Sequence, residues 1–176
     1  MDYLASFDSP VGPLTVACDG DALVGLWLDG QKYFEATLGE TEERPDLPVL
    51  QEARAWLDRY FEGADPGPIP PVRPRGTAFR QRVWTMLAEI PYGQLTTYGE
   101  LARRIEEETG ARTSARAVGG AVGHNPISII LPCHRVVGST RSLTGYAGGL
   151  QKKIALLKLE GVDVDALKVP TKGTAL

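Results

Sequence analysis

Three short runs open the chain with β character. Tyr3–Phe7, Leu14–Cys18 and Leu23–Leu28 are apolar or alternating, and Ser9-Pro10-Val11-Gly12-Pro13 and Asp19-Gly20-Asp21 divide them with turn-forming residues. The period then changes. Leu50, Ala53, Leu57 and Phe61 recur at helical spacing, which predicts a helix over Leu47–Phe61 with Gly63 beyond its end. From Asp65 to Gly76 the prolines Pro66, Pro68, Pro70, Pro71 and Pro74 crowd together. Proline donates no backbone hydrogen bond, so this stretch is a stiff connector. It divides the chain into an expected first domain, residues 1–70, and a second, residues 77–176.

Beyond the connector the pattern is mostly helical. Thr77 can cap a helix whose stripe is Phe79, Val83, Leu87 and Ile90, and Pro91-Tyr92-Gly93 ends it. Thr97 and Glu100 have capping-box spacing, which predicts a second helix from Thr97 to about Glu107. A polar segment leads to a third over Ser114–Gly123, and the last two fit either a helix-turn-helix or a plain helical hairpin. Ile127–Leu131 reads as a buried strand. Leu150, Ile154 and Leu157 mark a final helix to about Glu160, stopped by Gly161. The fold class is α/β of the α+β kind: a small N-terminal sheet-plus-helix domain, then a mostly helical C-terminal domain.

The third helix is nearly bare. Ala115, Ala117, Gly119, Gly120 and Ala121 leave Arg116 as its one long charged side chain. Interior glycine costs a helix about 1 kcal/mol relative to alanine, so small size needs a reason. Tight packing in the core is one, and close approach of an outside surface is another.

With 43% hydrophobic residues in 176 the chain can build a core, and it has no apolar run long enough to span a membrane. The start of the chain lacks the pattern of a signal peptide. Two distant cysteines, Cys18 and Cys133, make no disulfide framework, so a reducing cytoplasm is expected. The net charge of −3 hides an asymmetry. Residues 1–70 carry 4 Lys/Arg against 14 Asp/Glu, a balance of −10, whereas residues 71–176 carry 15 against 8, a balance of +7. The second half is the one suited to a polyanion, although uneven surface charge alone would look the same.

Cys133 follows the apolar run and precedes His134 and Arg135. A thiol attacks as thiolate, and a neighbouring His or Arg favours that form. Taken alone, the dipeptide reads more readily as an inert buried thiol than as a nucleophile. Two Cys and two His without paired spacing make no metal site, and His124 reads as a helix-end residue.

The surroundings say more. Pro132-Cys133-His134-Arg135-Val136-Val137 resembles the active-site signature of the O6-alkylguanine-DNA alkyltransferases. Upstream the resemblance takes in Phe79–Trp84, Ile90–Gly93, Thr97–Ala102 and Arg116–Ala121. Downstream it takes in Gly145-Tyr146-Ala147-Gly148-Gly149 and Leu156–Gly161. It covers residues 77 to 161 nearly throughout, whereas the first half matches only in outline.

The resemblance implies a suicidal DNA-repair protein that needs no cofactor and acts as a monomer on double-stranded DNA containing O6-alkylguanine. Cys133 would take the alkyl group, Glu160 would polarise His134, and His134 would receive the thiol proton through a water. Asn125 would brace the turn around the nucleophile. The target base would be flipped out through the minor groove, which a bare helix of Ala115, Ala117 and Gly119 can enter. Arg116 would fill the vacated place, and Tyr98 would push the target phosphate round and hydrogen-bond the base. Tyr146 with main-chain groups of Cys133, Val136 and Ala147 would hold the guanine.

Departures are modest. A few extra residues fall in Glu106–Thr113, and Glu106-Glu107-Glu108 bring three acids towards the expected DNA side. Thr140-Arg141 replaces commoner turn residues, and Ala147 stands where some members have Ser. Three rival readings remain: a non-catalytic lesion sensor, which would have Trp for Cys133; a major-groove regulator, which needs polar base-reading side chains; and a cysteine hydrolase.

Overall fold

The computed structural model describes residues 1–169, so residues 170–176 of the second expected domain lie outside it. β1 (Asp2–Phe7), β2 (Leu14–Cys18) and β3 (Leu23–Leu28) form an antiparallel meander where alternation placed them. Turn side chains close both hairpins. The Ser9 hydroxyl donates to Gly12 O (2.6 Å), and Asp19 accepts from the Asp21 and Ala22 N–H groups (3.0 Å each). A fourth strand, β4 (Thr41–Glu43), was not expected. It is exposed on all three residues and pairs parallel with β1, giving the order β3-β2-β1-β4. Backbone pairing alone holds it, so no hydrophobic pattern announces it.

α1 (Pro48–Phe61) has proline at its start, where the missing N–H costs nothing, and buries Leu50, Ala53, Leu57 and Tyr60. It packs on β1 and β2. The outer edge of β3 is covered by two pieces of chain. Leu23 exchanges hydrogen bonds with Pro71 O (2.8 Å) and the Arg73 N–H (2.7 Å), so the connector supplies carbonyls where it lacks donors. Leu26 does the same with Pro126 O (2.8 Å) and the Ser128 N–H (2.9 Å). The acidic half therefore docks directly on the segment that leads to Cys133.

In the second half, α2 (Ala78–Ala88) is capped by Thr77. α3 (Tyr98–Thr109) starts with the expected capping box and runs slightly past Glu107, to a left-handed Gly110 (φ 71°). α4 (Ala115–Gly123) is capped by Ser114, and the Trp84 indole donates to Ala121 O (2.8 Å), tying α2 to α4. β5 (Thr96–Thr97) and β6 (Val136–Val137) form a two-residue parallel pair that sequence did not reveal. It sets the start of α3 beside the residues just after Cys133. α5 (Leu150–Leu159) is the last α-helix among the described residues.

One expected element is absent. Ile127–Leu131 is not a strand beyond its single bridge to Leu26. It folds into consecutive tight turns: Ile130 N–H bonds Ser128 O (2.8 Å), Leu131 N–H bonds Ile127 O (3.0 Å), and Ile129 adopts φ 70°. The run is apolar because it is buried, and burial without alternation cannot separate a strand from a buried turn. Its side chains join a core shared by both halves, in which Leu26, Leu57 and Tyr60 meet Val83, Ile127, Ile129 and Leu156.

Candidate active site

Asn125 organises the turn that presents Cys133. It follows the His124 cap of α4, whose Nδ1 lies 2.7 Å from Gly120 O. The Asn125 Oδ1 accepts the Ile127 N–H (3.0 Å) while its amide donates to Leu131 O (2.8 Å), so one side chain holds both ends of the turn. Cys133 then begins a 3-10 turn, Cys133–Arg135, and does not end a strand. Three residues per turn, not alternation, send Cys133 and His134 in different directions.

Cys133 is 7% exposed. Burial pushes its thiol up, against weaker opposite pulls from Asn125, the Lys153 charge and Ser128. The expectation that neighbouring His and Arg hold it as thiolate is therefore corrected: at rest it is a thiol, and it needs a base when it reacts.

The base is adjacent in sequence. His134 is wholly buried, and its Nε2 bonds the Glu160 carboxylate. Burial pulls its pKa below the ordinary 6.5 and outweighs the upward pull of Glu160, so the ring is neutral at physiological pH. With Nε2–H given to Glu160, Nδ1 carries the lone pair. That Nδ1 is buried and has no hydrogen-bond partner among the described residues.

Glu160, at the end of α5, is held from four sides. Besides His134 it accepts from the Tyr60 hydroxyl (2.6 Å), Arg135 Nε (2.7 Å) and the Gly93 N–H (2.9 Å). Burial alone would raise its pKa, but His134, Arg135 and Tyr60 together bring it down to about 2. Arg135 also donates to Ile90 O (2.6 Å) and lies over the Tyr92 ring.

A second buried cation stands nearby. Lys153 donates to Val136 O (2.6 Å) and Thr144 O (2.9 Å), and burial lowers its pKa to about 8. Thr144 O also accepts the Tyr98 hydroxyl (2.9 Å), a phenol that burial pushes up to about 12. Tyr98 and Lys153 thus clamp the start of the glycine-rich loop. Between that loop and α4 lies a cavity of about 420 Å³, lined by Tyr146 and Ala147, by Gly119 and Gly120, and by Lys32 and Tyr33 of the first half. The Tyr146 hydroxyl is buried with no partner among the described residues.

On α4, Ala115, Arg116 and Ala117 are exposed. A methyl group built on Gly120 or Gly123 would meet nothing within 4 Å, whereas one on Gly119 would come 3.8 Å from the Tyr98 ring. Packing in the core therefore does not explain Gly120 or Gly123. Two of the three acids after Ile105 are engaged internally: Glu106 accepts the Thr113 N–H (2.9 Å), and Glu108 pairs with Arg82 (3.3 Å) and Arg104 (3.0 Å).

The structure thus gathers Cys133, His134, Glu160 and Asn125 around one turn, with Tyr98, Val136, Tyr146 and Ala147 beside the glycine-rich loop. It adds Tyr60, Gly93 and Lys153, to which the motif reading gave no role, and it directs Arg135 to Glu160 and not to Cys133. Two of these carried a signal. Lys153 falls at i+3 from Leu150 and i−4 from Leu157, on the apolar stripe, and Tyr60 falls at i+3 from Leu57. A polar atom on a buried face must find a partner.

Comparison with known proteins agrees in both halves. Residues 78–162 match the 6-O-methylguanine DNA methyltransferase DNA-binding domain, and residues 3–66 match the ribonuclease-like domain of the same family. The chain is 45% identical to the methylated-DNA–protein-cysteine methyltransferase of Haemophilus influenzae, across 91% of this chain and 87% of that one. The protein of that name from Mycobacterium tuberculosis is 46% identical, across 91% and 93%. The crystal structure of Mycobacterium tuberculosis OGT in complex with DNA superposes with a TM-score of 0.78 at 41% identity, covering 94% of this chain and 95% of that one. With both domain models matched in order and relatives aligned almost end to end, this chain belongs to the 6-O-methylguanine DNA methyltransferase family.

Proposed function

We propose that this protein repairs alkylated DNA by moving the alkyl group from O6 of guanine to Cys133 Sγ, once per molecule. The observation that carries the reading is the relay: a buried thiol next to a neutral His134, whose other nitrogen is bonded to an ionised Glu160. As Sγ attacks the alkyl carbon in line, the carbon–O6 bond breaks and its electron pair stays with the guanine. The thiol proton passes through a water to His134 Nδ1, and Glu160 stabilises the imidazolium. The product thioether has no easy hydrolysis route, so the protein is consumed.

The target base must leave the helix to reach a nucleophile this buried. The open glycine face of α4 suits a minor groove only about 6 Å wide. Arg116, exposed near the start of that face, would occupy the gap in the stack. Tyr98 would push the target phosphate round and hydrogen-bond the base. The guanine would sit against Tyr146 and main-chain groups of Cys133, Val136 and Ala147, while Asn125 keeps the Cys133 turn in shape.

Intact-mass spectrometry after mixing with a duplex containing O6-methylguanine tests this reading. One methyl group per protein is expected, on the Cys133 peptide. Cys133→Ser should gain none while still binding DNA, because a hydroxyl has far less anionic character than a thiol. Methyl on Cys18, or product exceeding protein, would refute it.

A further inference from the structure

Tyr60 reaches the relay from the other half of the chain. It is fully buried on α1, with its ring stacked on Trp56 (5.7 Å between centroids, 8° between planes) and edge-on to Phe61 and Tyr92. Its hydroxyl donates to Glu160 Oε2 at 2.6 Å, the same oxygen that accepts His134 Nε2–H, and lies 3.4 Å from Nε2 itself. Burial and the neighbouring carboxylate push the phenol far above its ordinary value, so it serves only as a donor.

We propose that Tyr60 is a positioning residue for proton transfer: by donating to the carboxylate oxygen shared with His134, it weakens the pull of Glu160 on the imidazole and keeps His134 a neutral base. A carboxylate oxygen with one donor concentrates its charge on that donor and makes an attached imidazole more basic. A second donor on the same oxygen divides that charge. The remaining groups facing the pair are Arg135 and the Gly93 N–H on Oε1, Tyr92 beside Arg135, and Lys153, Cys133 and Tyr146 towards the nucleophile. All of them stay in place when Tyr60 becomes Phe, which keeps the ring stack and removes one oxygen.

The inference rests on the reading of His134 as the base, and two measurements separate their failures. In Tyr60→Phe, nitrogen NMR should show His134 titrating at higher pH than in the wild type. The acid limb of the single-turnover rate should move the same way, with a loss of about tenfold at its acid end per unit of pKa and almost none at alkaline pH. Replacing Tyr60 with 3-fluorotyrosine, a stronger donor of nearly the same size, should move both in the opposite direction and covers the case of an unstable Phe variant. In a Glu160→Gln background the Tyr60→Phe shift should vanish. An unmoved His134 titration, or an equal loss at every pH, overturns the role of Tyr60. A wild-type rate with no acid limb overturns the role of His134 instead.

Discussion

Arg135 brings the one formal positive charge among the four donors on Glu160, and it is itself 7% exposed. Removing one partner of such a buried pair leaves the other uncompensated, which costs about 3–5 kcal/mol. Arg135→Ala should therefore lower the free energy of unfolding in urea by that amount, and the orphaned Ile90 carbonyl adds to the loss. The pH dependence follows from Glu160 and its other partner, His134. His134 is held below its ordinary 6.5 and Glu160 below its ordinary 4.5, so at acid pH the unfolded chain binds protons that the folded chain refuses. The contribution of these two groups is complete above the ordinary His134 value. It falls as pH drops, first through His134 and then, below 4.5 and towards about 2, through Glu160. Urea midpoints that stay level from neutral pH down to the carboxylate range would contradict this assignment.

At the scale of one helix, α4 exchanges intrinsic stability for a bare surface. Gly120 faces open space, so Gly120→Ala should stabilise the fold by about 0.5–1 kcal/mol, the usual helix penalty of glycine. Gly120→Leu should fold as well but hold duplex DNA at least tenfold more weakly, since its side chain would stand between backbone and groove. Titration of a labelled duplex, paired with a thermal melt, separates the two effects. Arg116→Ala should slow repair of duplex more than reaction with free O6-benzylguanine, and an unstable mismatch opposite the lesion should partly restore the rate. The cost of unstacking a base, a few kcal/mol, sets that scale. Equal losses on both substrates would assign Arg116 to the pocket and not to the DNA stack.

Across the whole molecule the two halves share one core and one candidate active site. β3 bonds to the Pro126–Ser128 backbone, Ser128 Oγ bonds the buried Gln31 side chain (2.9 Å), and Lys32 N–H bonds Ala147 O (3.1 Å). Tyr60 completes the shell around Glu160. A boundary of such continuity does not open separately, so urea unfolding followed by tryptophan fluorescence and by circular dichroism should give one coincident transition. Trp27 and Trp56 report from the first half and Trp84 from the second. Two resolved transitions would show that the docking contributes little.

Local pattern was enough for the meander, for α1 to α5 and for most of their caps, because alternation, helical spacing and a capping box are written in neighbouring residues. Motif order named Cys133, His134, Glu160, Asn125, Tyr98 and Arg116, and the structure brings the first four around one turn. The missing parts are those that depend on residues distant in sequence. β4 has no apolar face, and β5 and β6 are two residues long, so only their partners define them. Ile127–Leu131 reads as a strand because the sequence reports burial, whereas Asn125 decides the turn. The protonation states are also tertiary. A thiol beside His and Arg in sequence implies a thiolate, yet Cys133 is raised by burial and His134 lowered by it, because desolvation of charge outweighs neighbours that the fold directs to Glu160. Tyr60 shows the limit most plainly: its ring belongs to α1 by periodicity, but its hydroxyl bonds a carboxylate 100 residues further along the chain, and only the packing of one half against the other could bring them together.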